Sequence, residues 1–364
     1  MPKVIMFSDL YLPTFPFLDI PLYNELKARG LDVRYVLEEG DIRLILPELS
    51  STYLPITTIV KKAKHVNDLL GKDDLLVMRF CYKGVAGDLA NAVKASKKRI
   101  LMLDPAAIDI GWRECPAQYI TSKSSWMTEQ IKSRVGNKYK EIFTVGTIHF
   151  DEAWRVKPNK EELMKSYGLD PKKKLAILCK ASQGEIGHQK GVDDEYKQIA
   201  EIVKTKCPEY ELLFKCHPID HLSQYPLVPG VMHKNEHYGQ KPSWETLFPA
   251  SIKVLKPEQG YEGFASADVI LNVRSSVGME SVLFPTPLIN INSHKYLTNW
   301  PKVETAGVMK NIEIKDLERT LNKNEYNVIK DKCFAHVLRY CDPKADGKAY
   351  ERTANAIIKI LEKK

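Results

Sequence analysis

No stretch of the 364-residue chain runs uninterrupted through the ~18 apolar residues that a bilayer-spanning helix requires. The apolar run at residues 4–7 is too short for the hydrophobic core of a signal peptide, and no small-residue cleavage site follows it. The seven cysteines (Cys81, Cys115, Cys179, Cys207, Cys216, Cys333, Cys341) contain no C-x-x-C pair and are odd in number. A disulfide framework or structural zinc site is therefore not expected; each reads as a small buried apolar residue in a reducing, cytoplasmic setting. No Asp-x-Asp triplet occurs, so no local carboxylate pair is available to clamp a divalent ion. Internal repeats, low-complexity tracts and dense Lys/Arg runs are missing as well.

What is present is an ordinary globular composition, 44% hydrophobic and 27% charged. The length is more than twice that of a typical domain of roughly 150 residues, so two domains are expected. Basic residues outnumber acidic ones by 54 to 46, a net charge of +8 spread along the chain. That balance suits a phosphate-bearing ligand or an anionic membrane face and gives no support to nucleic-acid binding.

Short apolar runs alternate with amphipathic stretches. Strands are expected near residues 3–8, 32–37, 75–79, 99–103, 118–121 and 142–145, with helices at 20–29, 59–70, 87–96 and 124–135. A polar stretch at 153–174 carries one helix, and the alternation then restarts. Strands are expected at 175–179, 211–215, 252–255, 269–272 and 287–292, with a helix at 194–206. Such alternation implies two doubly wound parallel α/β halves of Rossmann type. We assign 1–155 to an N-terminal domain, 156–345 to a C-terminal domain, and 346–364 to a helix that packs back over the junction. Ligands in these folds sit at the C-terminal strand ends, so the loops just after strands carry the interest.

Three such loops in the second half suit an anion. Ser182, Gln183 and Gly184 follow the strand at 175–179 and can bring backbone N–H groups to a phosphate, although any turn carries such residues. Lys215, His217 and Pro218 close the next strand; the proline stops ladder pairing and aims the imidazole outward, where it donates to a phosphate or simply completes a turn. Arg274, Ser275, Ser276, Gly278 and Glu280 follow the strand at 269–272 and read as a helix N-terminus with free N–H groups, or as an ordinary cap.

The order Lys215-x-His217-Pro218, then Ala267, Asp268, Val269 and Ile270, then Ser275, Ser276, Gly278 and Glu280 resembles the C-terminal half of GT-B glycosyltransferases of bacterial surface polysaccharides. The His-Pro and Ser-Ser pairs are similar to those of capsule Kdo transferases, sialyl- and polysialyltransferases, and CDP-glycerol glycerophosphotransferases. The segment at 143–151, with Gly146, His149 and Asp151, resembles the stretch closing the N-terminal domain of these enzymes and of UDP-GlcNAc 2-epimerases. Asp346, Gly347, Lys348, Glu351 and Arg352 resemble their final helix.

The resemblance implies that His217, Ser275 and Ser276 hold the donor's phosphate, while Glu280 and the loop with Glu258 and Tyr261 lie near ribose and base. Lys215 or Arg274 would add charge. The expected activity is inverting, metal-independent transfer from a CMP-, CDP- or UDP-linked donor to a glycan or lipid-linked acceptor, with no cofactor and peripheral contact with an anionic inner membrane face. The general base is expected in the first half, where Asp9 leads and Glu38 and Glu39 follow the second strand. The alternatives are a sugar-nucleotide 2-epimerase, or a sugar-nucleotide-binding module without a working base.

Overall fold

The computed structural model describes residues 2–8, 15–39, 54–79, 84–103, 115–180, 192–216, 252–256, 259–273, 275, 281–284, 286–291, 308–326 and 330–363. The chain divides into two compact units. One comprises the described residues up to Asp151 together with those from Leu338 onward; the other runs from Glu152 to Val337.

The first unit holds β1 (Lys3–Phe7), β2 (Asp32–Glu38), β3 (Thr57–Val60), β4 (Leu75–Met78), β5 (Arg99–Met102), β6 (Tyr119–Ser122) and β7 (Glu141–Thr144). All pair in parallel, in the order β3-β2-β1-β4-β5-β6-β7. The second unit holds β8 (Lys174–Lys180), β9 (Tyr210–Lys215), β10 (Lys253–Val254), β11 (Val269–Val273), β12 (Leu288–Ile291) and β13 (Met309–Ile312). These are also parallel, in the order β10-β9-β8-β11-β12-β13. Strands such as β4 and β12 are buried at every residue, as a parallel sheet covered on both faces demands. The order reverses between β1 and β4 in the first sheet and between β8 and β11 in the second. Those are the switch points at which such sheets open a crevice.

Helices flank both sheets: α1 (Phe15–Ala28), α2 (Val66–Leu69), α3 (Gly84–Ala95), α4 (Ser125–Val135) and α5 (Ile148–Ala153), then α6 (Lys160–Ser166), α7 (Val192–Lys206), α8 (Gly260–Ser266), α9 (Leu317–Asn322), α10 (Lys330–His336) and α11 (Ala349–Glu362). Local chemistry explains several ends. Ser124 caps α4 by accepting from the Met127 N–H at 3.1 Å, and Gly136 ends it at φ +57°. Asn159 caps α6 in the same way and donates to Glu162 Oε2 at 2.7 Å.

Three expectations need correcting. The helix expected at 20–29 begins at Phe15 and runs through Pro21, a residue that sequence rules place at the first helical position. The helix expected at 59–70 is strand β3, a 3₁₀ turn at Ala63–His65 and the short α2. Thr57, Thr58, Ile59 and Val60 are all β-branched and pair with Tyr35 to Glu38, and that long-range ladder outweighs the local helical period. Cys115 is disulfide-bonded, whereas Cys179, Cys207, Cys216, Cys333 and Cys341 are buried thiols. Spacing motifs reveal only linkages that are local in sequence, so a bridge set by the fold escapes them. No helix among the described residues is long and apolar enough to cross a membrane.

Candidate functional site

In the second unit the C-terminal strand ends bring several polar groups to the switch point. Lys180 ends β8 beside Val273 of β11 and is only 2% exposed. One strand away, Lys215 ends β9 opposite Cys179. Its stem is fixed from the α8 side: a side-chain carbon at Gly260 would lie 3.2 Å from Lys215 Cε, and its ammonium stands 5.7 Å over the Phe264 ring. Among the described residues no carboxylate pairs with Lys215. Ser275 lies two residues beyond β11, nearly buried, and no hydrogen bond within the described residues holds its hydroxyl. Lys215 and Ser275 stand at the C-terminal ends of β9 and β11, on either side of β8, and put a cation and a hydroxyl that no described residue pairs at one edge of the sheet, an arrangement suited to an anion.

The residues beneath this edge keep it rigid. Gly263 lets α8 approach the sheet, because a Cβ there would fall 2.7 Å from Leu255 Cδ2 and 3.0 Å from Ile177 Cδ1. Tyr167, just after α6, accepts from the Lys256 N–H at 2.9 Å and donates to Gln259 Oε1 at 2.5 Å. Its hydroxyl thus braces both flanks of the loop that holds Glu258 and leads into Tyr261. Tyr261 itself is half-buried in α8, its ring 6.0 Å from Phe284. Asn272 donates to Asn290 Oδ1 at 2.9 Å, leaving its own Oδ1 buried without a partner.

Asp268 belongs to the stretch that resembles the glycosyltransferases, yet it sits at the opposite end of the sheet. It accepts from the Leu175 N–H at 2.7 Å and from Lys160 Nζ at 2.6 Å, tying α6 to the start of β8. Its work is structural.

In the first unit a polar cluster surrounds the switch point and was not anticipated from sequence. Ser8 follows β1, Arg79 follows β4, Tyr35 lies in β2 and Asp19 in α1; all four are buried. Arg79 donates from Nε to Asp19 Oδ1 at 3.0 Å and places Nη2 2.9 Å from the same oxygen. Tyr35 donates to Asp19 Oδ2 at 3.3 Å. Burial raises the Asp19 pKa even though Arg79 and Tyr35 favour the carboxylate. An arginine directly after a strand was the available signal. Glu38 ends β2, half-buried, and Glu39 follows in an exposed turn, so both stand at the C-terminal edge of this sheet.

The two outlying motifs of the sequence meet within this unit. Arg352 of α11 donates to the Val145 carbonyl at 2.7 Å, to Asp342 at 2.8 Å and to Asp346 at 2.5 Å. Gly146, at φ +89°, passes beneath it; a Cβ there would lie 2.9 Å from Arg352 Nη2. Asp151 accepts from the Ala349 and Tyr350 N–H groups at 2.9 and 2.8 Å, capping α11 from another element. Burial, with the like charge of Asp342 adding to it, raises the Asp151 pKa to about 6.

Asp9, Ser182, Gln183, Gly184, His217, Pro218, Glu258, Arg274, Ser276, Gly278 and Glu280 lie outside the described residues.

No protein-family model and no curated protein matches the chain. Solved structures do. A putative UDP-N-acetylglucosamine 2-epimerase from Listeria monocytogenes superposes with a TM-score of 0.63 at 14% identity, over 100% of this chain and 97% of that one. The Methanocaldococcus jannaschii UDP-GlcNAc 2-epimerase in complex with UDP-GlcNAc and UDP gives 0.61 at 14% identity, over 99% and 100%. The wall teichoic acid polymerase TagF gives 0.60 at 12% identity, over 99% and 89%. The fold is GT-B: two parallel α/β units of Rossmann type.

Proposed function

We propose that the protein is a transferase that takes a nucleotide-activated donor and moves a glycosyl or glycerophosphate-type group to an acceptor hydroxyl by an inverting, metal-independent route. The observation that carries this reading is that the C-terminal ends of β9 and β11, on either side of β8, carry Lys215 and Ser275, which no carboxylate and no hydrogen bond among the described residues holds. Those groups, with His217, Ser276 and Arg274, would hold the donor phosphate and stabilise the charge that builds on it as the bond to the transferred group breaks. A carboxylate of the first unit, with Asp9, Glu38 and Glu39 as candidates, would take the acceptor proton. A structural neighbour in complex with UDP-GlcNAc and UDP, and TagF soaked with CDPG, support a nucleotide-activated donor.

The likeness to UDP-GlcNAc 2-epimerases favours a second reading, in which UDP-GlcNAc is inverted at C2 without any acceptor. A panel of CMP, CDP, UDP and GDP, read by thermal shift, tests the shared premise. A ligand at a hundred times its Kd stabilises by about 2.7 kcal/mol, so one nucleotide should stand out. Lys215→Ala and Ser275→Ala should abolish that shift while leaving the unliganded midpoint in place; an unchanged shift in both would overturn the site. Incubation with UDP-GlcNAc alone separates the readings: a 2-epimer formed without acceptor establishes the epimerase. Transfer that survives EDTA with His217→Ala reduced about a hundredfold or more establishes the transferase. Nucleotide binding with neither reaction would leave a sugar-nucleotide-binding module.

A further inference from the structure

Tyr167 is the first residue after α6 and belongs to none of the stretches that carry the resemblance. Its backbone is fixed where it stands. The Tyr167 N–H donates to the Met164 carbonyl at 3.2 Å, Gly168 turns the chain away at φ +67°, and Leu163 and Met164 of the same helix are buried. The side chain leaves this anchorage for another segment. Its hydroxyl accepts from the Lys256 N–H at 2.9 Å and donates to Gln259 Oε1 at 2.5 Å, partners 89 and 92 positions further along the chain.

Lys256 and Gln259 are the two corners of one turn. The Gln259 N–H donates to the Lys256 carbonyl at 3.1 Å, the closure of a β-turn, and Pro257 follows the first corner in sequence, where such turns favour it. One backbone bond leaves a turn free to tilt; a hydroxyl bonded to both corners fixes it. Gln259 extends the chain of bonds by donating from Nε2 to Glu262 Oε2 at 3.4 Å. Both arms of the turn adjoin Lys215. On the entry side the Leu255 N–H donates at 2.8 Å to the carbonyl of Phe214, the residue before Lys215. On the exit side Gly260 lies so close to the lysine stem that an added Cβ would fall 3.2 Å from Cε. The turn thus walls the stem whose ammonium stands over Phe264. A tyrosine that served only to fasten α6 would duplicate Lys160, which ties the same helix to the sheet through Asp268.

We propose that Tyr167 is a positioning residue of the donor site: its hydroxyl holds the 256–259 turn against the Lys215 stem and so sets where the ammonium meets a nucleotide's phosphate. A walled stem has less rotamer freedom to lose when the phosphate binds. Tyr167 has this role only if the donor-site reading holds, since it acts through Lys215. The test is titration calorimetry of the full chain with CMP, CDP, UDP and GDP, with unfolding midpoints measured on the same samples. Tyr167→Phe should weaken the nucleotide that the wild type binds by about tenfold, the scale of one or two neutral hydrogen bonds. Gln259→Leu should cost a similar factor, and the two changes together no more than the larger alone, because they break one chain of bonds. Lys160→Ala, which loosens α6 at its other end, should lower the midpoint and leave the affinity unchanged. Unchanged affinity in Tyr167→Phe would overturn the positioning role and leave the donor site standing; if that variant does not fold, Gln259→Leu decides by the same criterion. An equal loss of affinity in Lys160→Ala, the mark of general loosening, would also overturn it. A wild type that binds none of the four nucleotides removes the donor-site reading, and the role of Tyr167 with it.

Discussion

The buried pair Asp19–Arg79 illustrates how a single residue can be read two ways. It locks α1 to β2 and to the end of β4, and it also stands at the switch point where a ligand would enter. Free energy separates these roles. Removing one partner of a buried ion pair costs about 3–5 kcal/mol, because the other charge is stranded, whereas an apolar replacement of both is often neutral. Arg79→Met is therefore expected to destabilise by about that amount in urea, and Arg79→Met with Asp19→Leu to recover most of it. If the recovered double variant also transfers at the wild-type rate, the cluster is architecture alone; a folded double variant without activity would assign Arg79 to the substrate. The same caution applies to Asp268. It lies in the stretch that carries the resemblance, and its bonds to Leu175 and Lys160 show a strand anchor.

Elements show where sequence reasoning succeeds and where it stops. The all-buried strands were legible because parallel sheets demand continuous apolar runs, and the same runs placed Lys215 at a strand end and Ser275 just beyond one. β3 was not, since its ladder to β2 is a long-range event; nor was the Arg79 cluster, whose four members come from four separate elements. The pairing of the segment at 143–151 with α11 was also hidden: sequence marked both, and only the fold joins Asp151 to the α11 N-terminus. That joint has a pH signature. The Asp151 pKa is raised to about 6 from 3.8, and burial also raises Asp342 and Asp19. A carboxyl whose folded pKa lies above its unfolded value binds its proton more tightly when folded, so stability increases as pH falls through about 6 toward 4. The carboxyls held low by lysine or arginine, Glu141 and Asp346, act in the opposite sense and only at lower pH. The first unit should therefore gain thermal stability between pH 7 and pH 5, and Asp151→Asn should flatten that gain. A midpoint falling steadily over that range would show that Asp151 does not titrate as its burial implies.

At the scale of the whole molecule, the two ends of the chain belong to one unit. Residues 345–364 are last in sequence, yet α11 packs on α1, buries Ala354, Ile357 and Ile360, and has its terminal carbonyls capped by Arg99, with 2.8 Å to the Ile360 oxygen. Lys359 and Lys363 reach Glu141 at the start of β7. Deleting residues 345–364 exposes the surface those isoleucines cover, at roughly 1.5–3 kcal/mol for each such side chain. It also leaves Asp151 and Asp342 buried without Ala349, Tyr350 or Arg352. The sum approaches the whole stability of an ordinary domain, about 5–15 kcal/mol. Reading the chain as two consecutive domains predicts that a C-terminal truncation damages the C-terminal unit. The structure predicts the reverse: amide exchange should accelerate in β1, β2, β4 and β5, while β8, β9, β11 and β12 keep their protection. Exchange that quickens first in β8 and β11 would show that α11 stabilises the second unit instead.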